Sequence, residues 1–352
     1  MDKQKQVFRI GCLSILLAVL LRMVCSTALG DDVSLFSQPQ LASYLVYTET
    51  GRELNAPDTT TTPSVTPSAT EPVSTTVPTT EPEPDPEPEY VPPTPSIPDE
   101  KPFFTSDDMQ YLTTNVECKR NPNWEKLLTQ TLSWNLTGSE PTILIVHTHG
   151  TEAFTPTATT QYVEYGGEYR TKDERYNMIS IGDELTRLLQ DAGLTVIHDR
   201  TPYDLNDYLD SYDNSRKAVQ QHLKEHPTIK MVIDLHRDAA EYADGTQWAA
   251  RGTVNGQSAA QVMMVVGTNA TGLNHPNWET NLSIAEKLTV LMERNHDGMA
   301  RDLNLRGARF NQDLAIGALI AEIGAAGNTH DEAIRGVGVL AEAIIQLALG
   351  SQ

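Results

Sequence analysis

Four short segments constrain the fold more than any other feature of this chain: TILIVHTHG (142–150), KMVIDLHRD (230–238), QVMMVVG (261–267) and ALIAEIG (318–324). A strand with one solvated face alternates apolar and polar residues, whereas a strand apolar at nearly every position is buried on both faces. Between these runs the period changes. RYNMISIGDELTRLLQDAG (175–193) sets Ile181, Leu185, Leu188 and Leu189 at helical spacing and stops on Gly193, after which LTVIHD reads as another strand. NSRKAVQQHLKEHP, NWETNLSIAEKLTVLMERN and DEAIRGVGVLAEAIIQLAL read as further helices. The alternation predicts an α/β domain with a largely parallel central sheet and helices on both faces. In such a sheet the chemistry gathers at the carboxyl ends of the strands.

The strand ends carry the residues that a metal hydrolase needs. The first run delivers His147 and His149, the second delivers His236 followed by Arg237, and the last carries Glu322. Neutral imidazoles and a carboxylate make a typical catalytic zinc set with one position left open. The segment TKDERYN, just ahead of the first long helix, offers Asp173 and Glu174 as the acid. Glu322 lies in an otherwise apolar strand, where an unpaired carboxylate is costly to bury. It is there either for acid and base work beside a metal or for an ion pair with Arg237 or Arg306.

The rest of the chain bounds where such a domain works. Residues 1–30 open with Lys3, Lys5 and Arg9 and continue into GCLSILLAVLL, an export signal that we expect to stay uncleaved as a transmembrane anchor. Arg22, three residues ahead of Cys25, argues against a lipid attachment there. A short segment, 31–55, leads to a Pro, Thr and Glu-rich stretch at 56–102 that cannot bury enough apolar surface to fold. Extended at about 3.1 Å per residue, such a tether reaches on the order of 100 Å. The folded domain is expected within 103–352, where Cys118 is the only cysteine, so neither a disulfide nor a cysteine zinc site can form inside it. With 47 acidic residues against 26 basic ones, a net charge of −21, the chain repels nucleic acid.

Taken in order, HTHGTEAFTP, TKDERYNMISIGDEL, VIDLHRDAA, NHPNWETNLSIAEKL, FNQDL and AEIGAAGNTHDEA resemble the signature segments of the stage II sporulation protein P family, over about 142–349. That family is similar in turn to the zinc-dependent N-acetylmuramoyl-L-alanine amidases. The resemblance implies a zinc cofactor held by His149, His236 and Asp173, with Glu174 as the alternative acid. Glu322 would be the catalytic base, and His147 and Arg237 would support the site. It implies hydrolysis of the amide joining muramic acid to the peptidoglycan stem peptide, with a possible endopeptidase activity on cross-links. It further implies a place in the mother-cell membrane during engulfment, facing the septal wall, beside a lytic transglycosylase and a membrane scaffold protein. Two other readings stand against it: a wall-binding scaffold that has lost turnover, and a zinc carboxypeptidase or amidohydrolase acting on a different substrate.

Overall fold

The computed structural model describes residues 104–349, except 133, 134, 168, 207 and 243. The expected anchor, the segment at 31–55 and the tether at 56–102 lie outside the described residues. Among those that are described, no helix is long and apolar enough to cross a membrane.

The strands are β1 (Thr114–Glu117), β2 (Ile143–Val146), β3 (Val196–His198), β4 (Met231–Asp238), β5 (Arg251–Val254), β6 (Gln257–Ala260), β7 (Val262–Gly267), β8 (Leu303–Arg306) and β9 (Ala318–Ala325). The helices are α1 (Trp124–Thr129), α2 (Met178–Asp191), α3 (Ser211–Glu225), α4 (Trp278–Asn295) and α5 (His330–Leu349). Seven strands form one sheet in the order β1-β8-β7-β9-β4-β2-β3, while β5 and β6 pair as a separate hairpin. Every neighbouring pair in the large sheet is parallel except β7 with β9. The sheet is mixed and mostly parallel, in line with the largely parallel sheet expected. Two parallel blocks, β9-β4-β2-β3 and β1-β8-β7, run in opposite directions and meet along the β7–β9 seam.

The alternation of side chains along each strand decides what lies on each face. Ile143 and Ile145, Met231, Ile233 and Leu235, Val262, Met264 and Val266, and Leu319, Ala321 and Ile323 all join one large core with α2, α4 and α5. The intervening residues face the other way. Leu144, Val146, Val232 and Ala318 pack with Val219 and Leu223 of α3, and Met263, Val265 and Ile320 pack with Phe310. Both faces carry helices, as expected, but unequally: the second face is covered by α3 over β2 and β4 and is more polar beyond it.

The helix α2 shows how tightly the first face is closed. Asn177 caps its start by accepting from the Ile179 N–H. Gly182 then lets the helix approach the sheet, because a Cβ there would stand 2.6 Å from His147 Nε2 and 2.5 Å from His198 Nε2. The domain also begins earlier than its apolar runs suggest. The short edge strand β1, exposed along its length, pairs with β8 well before the first apolar strand.

Candidate metal centre

Parity along β4 and β9 builds the site. Asp234 and His236 share the second face, and His236 is paired in register with Glu322 on the neighbouring β9. Paired residues on adjacent strands project to the same side, so His236 and Glu322 emerge together near the carboxyl ends of two parallel strands. His149 arrives from the loop after β2. That loop is held by the Asp234 carboxylate, which accepts from the Thr148 N–H at 2.8 Å and from the Thr148 hydroxyl. Gly150 is required in it, since a Cβ there would stand 2.7 Å from the backbone of Pro202.

Three residues after His149 the chain turns, with the Glu152 N–H donating to the His149 carbonyl at 3.2 Å. The turn brings Glu152 between the two imidazoles. His149 Nδ1 lies 3.5 Å from Glu152 Oε1, and His236 Nδ1 lies 3.5 Å from Glu152 Oε2. One donor atom from each of His149, Glu152 and His236 lies within 4.8 Å of the others. Donors about 2.0–2.2 Å from a tetrahedral zinc ion stand about 3.3–3.6 Å apart, so the donor set fits zinc, with each imidazole at that spacing from one oxygen of Glu152.

The surroundings hold this trio in place. Arg237, almost fully buried, donates its N–H to Glu152 Oε2 at 3.2 Å and its Nε–H to the Ala153 carbonyl at 2.9 Å. Arg170 lies 3.5 Å from Glu152 Oε1 and 2.7 Å from Asp204. Its guanidinium stands 4.6 Å from the ring centre of Tyr208, which stacks on His149 with centroids 4.6 Å apart. Tyr212 meets the same imidazole edge-on at 5.6 Å. The second nitrogen of His236, Nε2, lies 3.1 Å from Asp234 Oδ1 but off the line of a hydrogen bond. A carboxylate behind a ligating imidazole orients the ring and raises its basicity.

Charge is distributed accordingly. Burial would raise the Glu152 carboxyl, but hydrogen bonds from His149 and His236, together with the charges of His236 and Arg237, hold it well below the usual range. Burial would lower His236, yet Asp234 and Glu152 raise it well above an ordinary histidine. Two carboxylates thus reserve a place for positive charge. Glu322 behaves differently. Burial pushes it up to about 8, with His236 opposing, and its Oε2 has no hydrogen-bond partner. The ion pair considered for it does not form: Arg306 pairs with Glu117, and Arg237 serves the Glu152 loop.

The structure does not bring either expected acid ligand, Asp173 or Glu174, to the trio. Asp173 is chelated by Arg175, at 2.9 Å from its Nε and 2.6 Å from its Nη2, and Glu174 points outward to Arg200 at 2.7 Å. The start of α2 does stand at the site, with the Met178 N–H donating to the Glu152 carbonyl at 2.9 Å. The strand-like bridges Glu152–Arg170 and Ala153–Asn177 fill the space beside it and turn 173 and 174 away. His147 also stands apart from the trio. Its parity sends it to the α2 face, where it meets His198 at 2.7 Å, and burial with the nearby His198 lowers it to about 3. Glu152 was readable as the acid three residues beyond His149 in HTHGTE, and Asp234 as the residue that shares a face with His236 in IDLH.

The Stage II sporulation protein P (SpoIIP) family matches residues 68–345. This chain belongs to that family. Stage II sporulation protein P of Bacillus subtilis (strain 168) is 29% identical over 225 residues, which cover 60% of this chain and 52% of that protein. The chain therefore matches about half the length of this SpoIIP relative. Among solved structures it is similar to the N-acetylmuramyl-L-alanine amidase Ami1 from Mycobacterium smegmatis, with 16% identity, a TM-score of 0.37, and 62% of this chain and 100% of that one covered. It is similar to the N-acetylmuramoyl-L-alanine amidase AmiC2 of Nostoc punctiforme, with 12% identity, a TM-score of 0.35, and 60% and 97% covered. The CwlD amidase from Clostridioides difficile, solved with the GerS lipoprotein, is 13% identical with a TM-score of 0.35, covering 58% and 96%.

Proposed function

We propose that this SpoIIP chain is a zinc-dependent hydrolase of amide bonds in peptidoglycan. The observation that carries the reading is the trio His149, Glu152 and His236, with Glu322 emerging beside it from the paired position on the next strand. Family membership supports the setting, a sporulating cell and its wall. The likeness of the HTHG, IDLH and AEIG segments to those of the zinc amidases supports the bond, the amide between muramic acid and the stem peptide, with cross-link peptide bonds as a second substrate.

Zinc held by the trio would supply Lewis acidity toward water and a carbonyl oxygen. The residues of the chain do the rest. Glu322, in its ionised form, takes a proton from the attacking water at its unpartnered Oε2. The water oxygen bonds to the amide carbon, the C–N bond breaks, and the proton on Glu322 passes to the leaving amine. Asp234 fixes the His149 loop through Thr148, while Arg237 and Arg170 fix Glu152. Tyr208 and Tyr212 pack around the His149 ring and limit its rotation.

The N-terminal apolar segment and the tether support an anchored enzyme acting outside the membrane, in the mother-cell membrane facing the septal wall. A lytic transglycosylase and a membrane scaffold protein as neighbours rest on the family resemblance alone. The test is digestion of purified peptidoglycan by the full-length chain in detergent, with zinc quantified. New free amines on released stem peptides, absent with chelator and with Glu322→Gln, are expected. An undigested wall with stoichiometric zinc would overturn the hydrolase in favour of a scaffold.

A further inference from the structure

The segment FNQDL (310–314), between β8 and β9, has no part in the chemistry described so far, yet the chain accepts strain to shape it. Phe310 and Asn311 both stand at positive φ, 49° and 60°. Asparagine tolerates that region, whereas a bulky side chain is an outlier there and persists only where its surroundings enforce it. Gln312, 2% exposed, supplies much of that enforcement. Its side chain donates to the Val265 carbonyl at 2.9 Å and accepts from the Gly267 N–H at 2.8 Å, which pins the segment to the end of β7. Its carbonyl accepts from Asn281 of α4 at 3.0 Å. Asp313 takes both Nη atoms of Arg216 on α3, each at 2.8 Å.

What this bracing delivers is the side chain of Asn311, aimed at the first turns of α3. Its amide donates to the Tyr212 carbonyl at 2.8 Å and to Ser215 Oγ at 3.3 Å, while its Oδ1 accepts from Arg216 at 3.2 Å. Tyr212 and Ser215 are the residues of α3 that reach the metal centre from behind. The Ser215 and Thr148 hydroxyls are hydrogen-bonded at 2.8 Å, and Thr148 in turn donates to Asp234. The Tyr212 ring meets the His149 imidazole edge-on and lies 6.0 Å from the Phe310 ring, which packs on the sheet with Met263, Val265 and Ile320. Phe310, Asn311, Ser215 and Asp234 line one small cavity, so the links form a contiguous path.

We propose that Asn311 is a positioning residue for the metal centre. From behind α3 it sets Tyr212 against the His149 ring and Ser215 against the Thr148–Asp234 pair, and so holds His149 in its ligating orientation. The proposal rests on the reading of His149, Glu152 and His236 as a zinc site. An asparagine kept only because the loop needs a left-handed residue would be replaceable by glycine, which adopts that region at no steric cost. Loss of an outer contact that orients a ligating side chain weakens metal binding about 10–100-fold, and Asn311, acting at one remove, belongs at the lower end.

The test is zinc affinity of the full-length chain in detergent, measured by competition with a chromophoric chelator, alongside thermal melts of the metal-free protein. Asn311→Gly is expected to bind zinc about tenfold more weakly while its metal-free form melts close to wild type. Asn311→Ala loses the same amide and also strains the backbone, so it should show the same loss of zinc affinity with a lower melting temperature. Wild-type affinity in Asn311→Gly, with weakening confined to Asn311→Ala, would overturn the proposal, because the backbone alone would then matter. Should both variants melt early, Ser215→Ala probes the path from its other link: weakened zinc binding there supports the proposal, and unchanged affinity refutes it. Wall digestion is read separately. A wild-type chain that binds zinc tenfold tighter than Asn311→Gly but leaves the wall intact would sink the hydrolase and not the positioning role, and digestion with equal zinc affinities would sink only the positioning role.

Discussion

Glu286 is buried and Glu322 half-buried, yet burial pushes both carboxyl groups upward, to about 9 and about 8, and both have unpartnered oxygens. They stand on opposite sides of the sheet. Glu286 belongs to α4 in the closed layer over the first face, where neighbours such as Leu282, Ile284, Ala285 and Leu288 join the main core. Glu322 projects from the second face beside His236, where the sheet opens into a groove. The comparison shows that an upward shift does not mark a catalytic acid. What marks Glu322 is the company of a metal-competent trio, with His236 at the paired position on the next strand.

The largest expected effects fall on the open face. His236→Ala removes a ligand and should lose both zinc and activity, measured by metal content and amine release. Glu322→Gln should keep zinc and lose turnover by about 10²–10⁴-fold, the range of a removed general acid or base. Full activity in that variant would return Glu322 to the class of Glu286, an acid that is merely buried. Glu152→Gln should release zinc, whereas Asp173→Asn should retain it, because Asp173 is occupied by Arg175. Zinc lost from Asp173→Asn and kept in Glu152→Gln would reverse the assignment of the third position.

Most of this was legible because it depends on patterns that burial enforces. The four apolar runs became β2, β4, β7 and β9, and the helical stretches became α2 to α5. His149, His236 and Glu322 could be found at or near strand ends without knowing the strand order. The acid was sought at the wrong place, since the start of α2 reaches the correct end of the sheet while Asp173 and Glu174 turn outward, and Glu152 in HTHGTE was passed over. The mixed sheet was hidden for a related reason: β7 is as apolar as its parallel neighbours, and nothing in its own residues reports direction. The strand β8, LNLR, alternates, with Asn304 and Arg306 on the groove side, and so lacked the continuous apolar signal of a buried strand. The β5–β6 hairpin turns on Asn255 and Gly256, both at positive φ, a sequence signal for a tight hairpin turn that stood in the chain unread.

A smaller effect is expected where the closed face meets the strand ends. Gly182→Ala puts a methyl group against the His147 and His198 rings, neither of which can swing freely between α2 and the sheet. Overpacking of this kind costs about 1–3 kcal/mol. The prediction is a lower melting temperature with zinc stoichiometry unchanged, because His147 faces away from the trio. Loss of zinc in this variant would mean that the two faces are mechanically coupled through the strand that carries both histidines.

The smallest effect, and the one that separates the two acids most cleanly, is the pH dependence of Glu286. Its folded value, about 9, stands above the ordinary carboxylate value of 4.5, so below pH 4.5 it is protonated in both states and costs nothing on that account. As pH rises from 4.5 toward 9 the unfolded chain releases the proton and the folded one does not, so stability falls across that window. Glu286→Gln removes this dependence. The amide brings N–H groups that also lack partners, which offsets part of the gain, and a net stabilisation of about 1 kcal/mol at pH 7 is expected. Thermal melts of wild type and variant at several pH values should shift in the variant's favour as pH rises, from a variant slightly the less stable near pH 4.5, where only the amide's penalty remains, to one the more stable at pH 7. Parallel melts across the window would show that the folded protein supplies Glu286 with a partner for its charge, and the contrast with Glu322 would then rest on the trio alone.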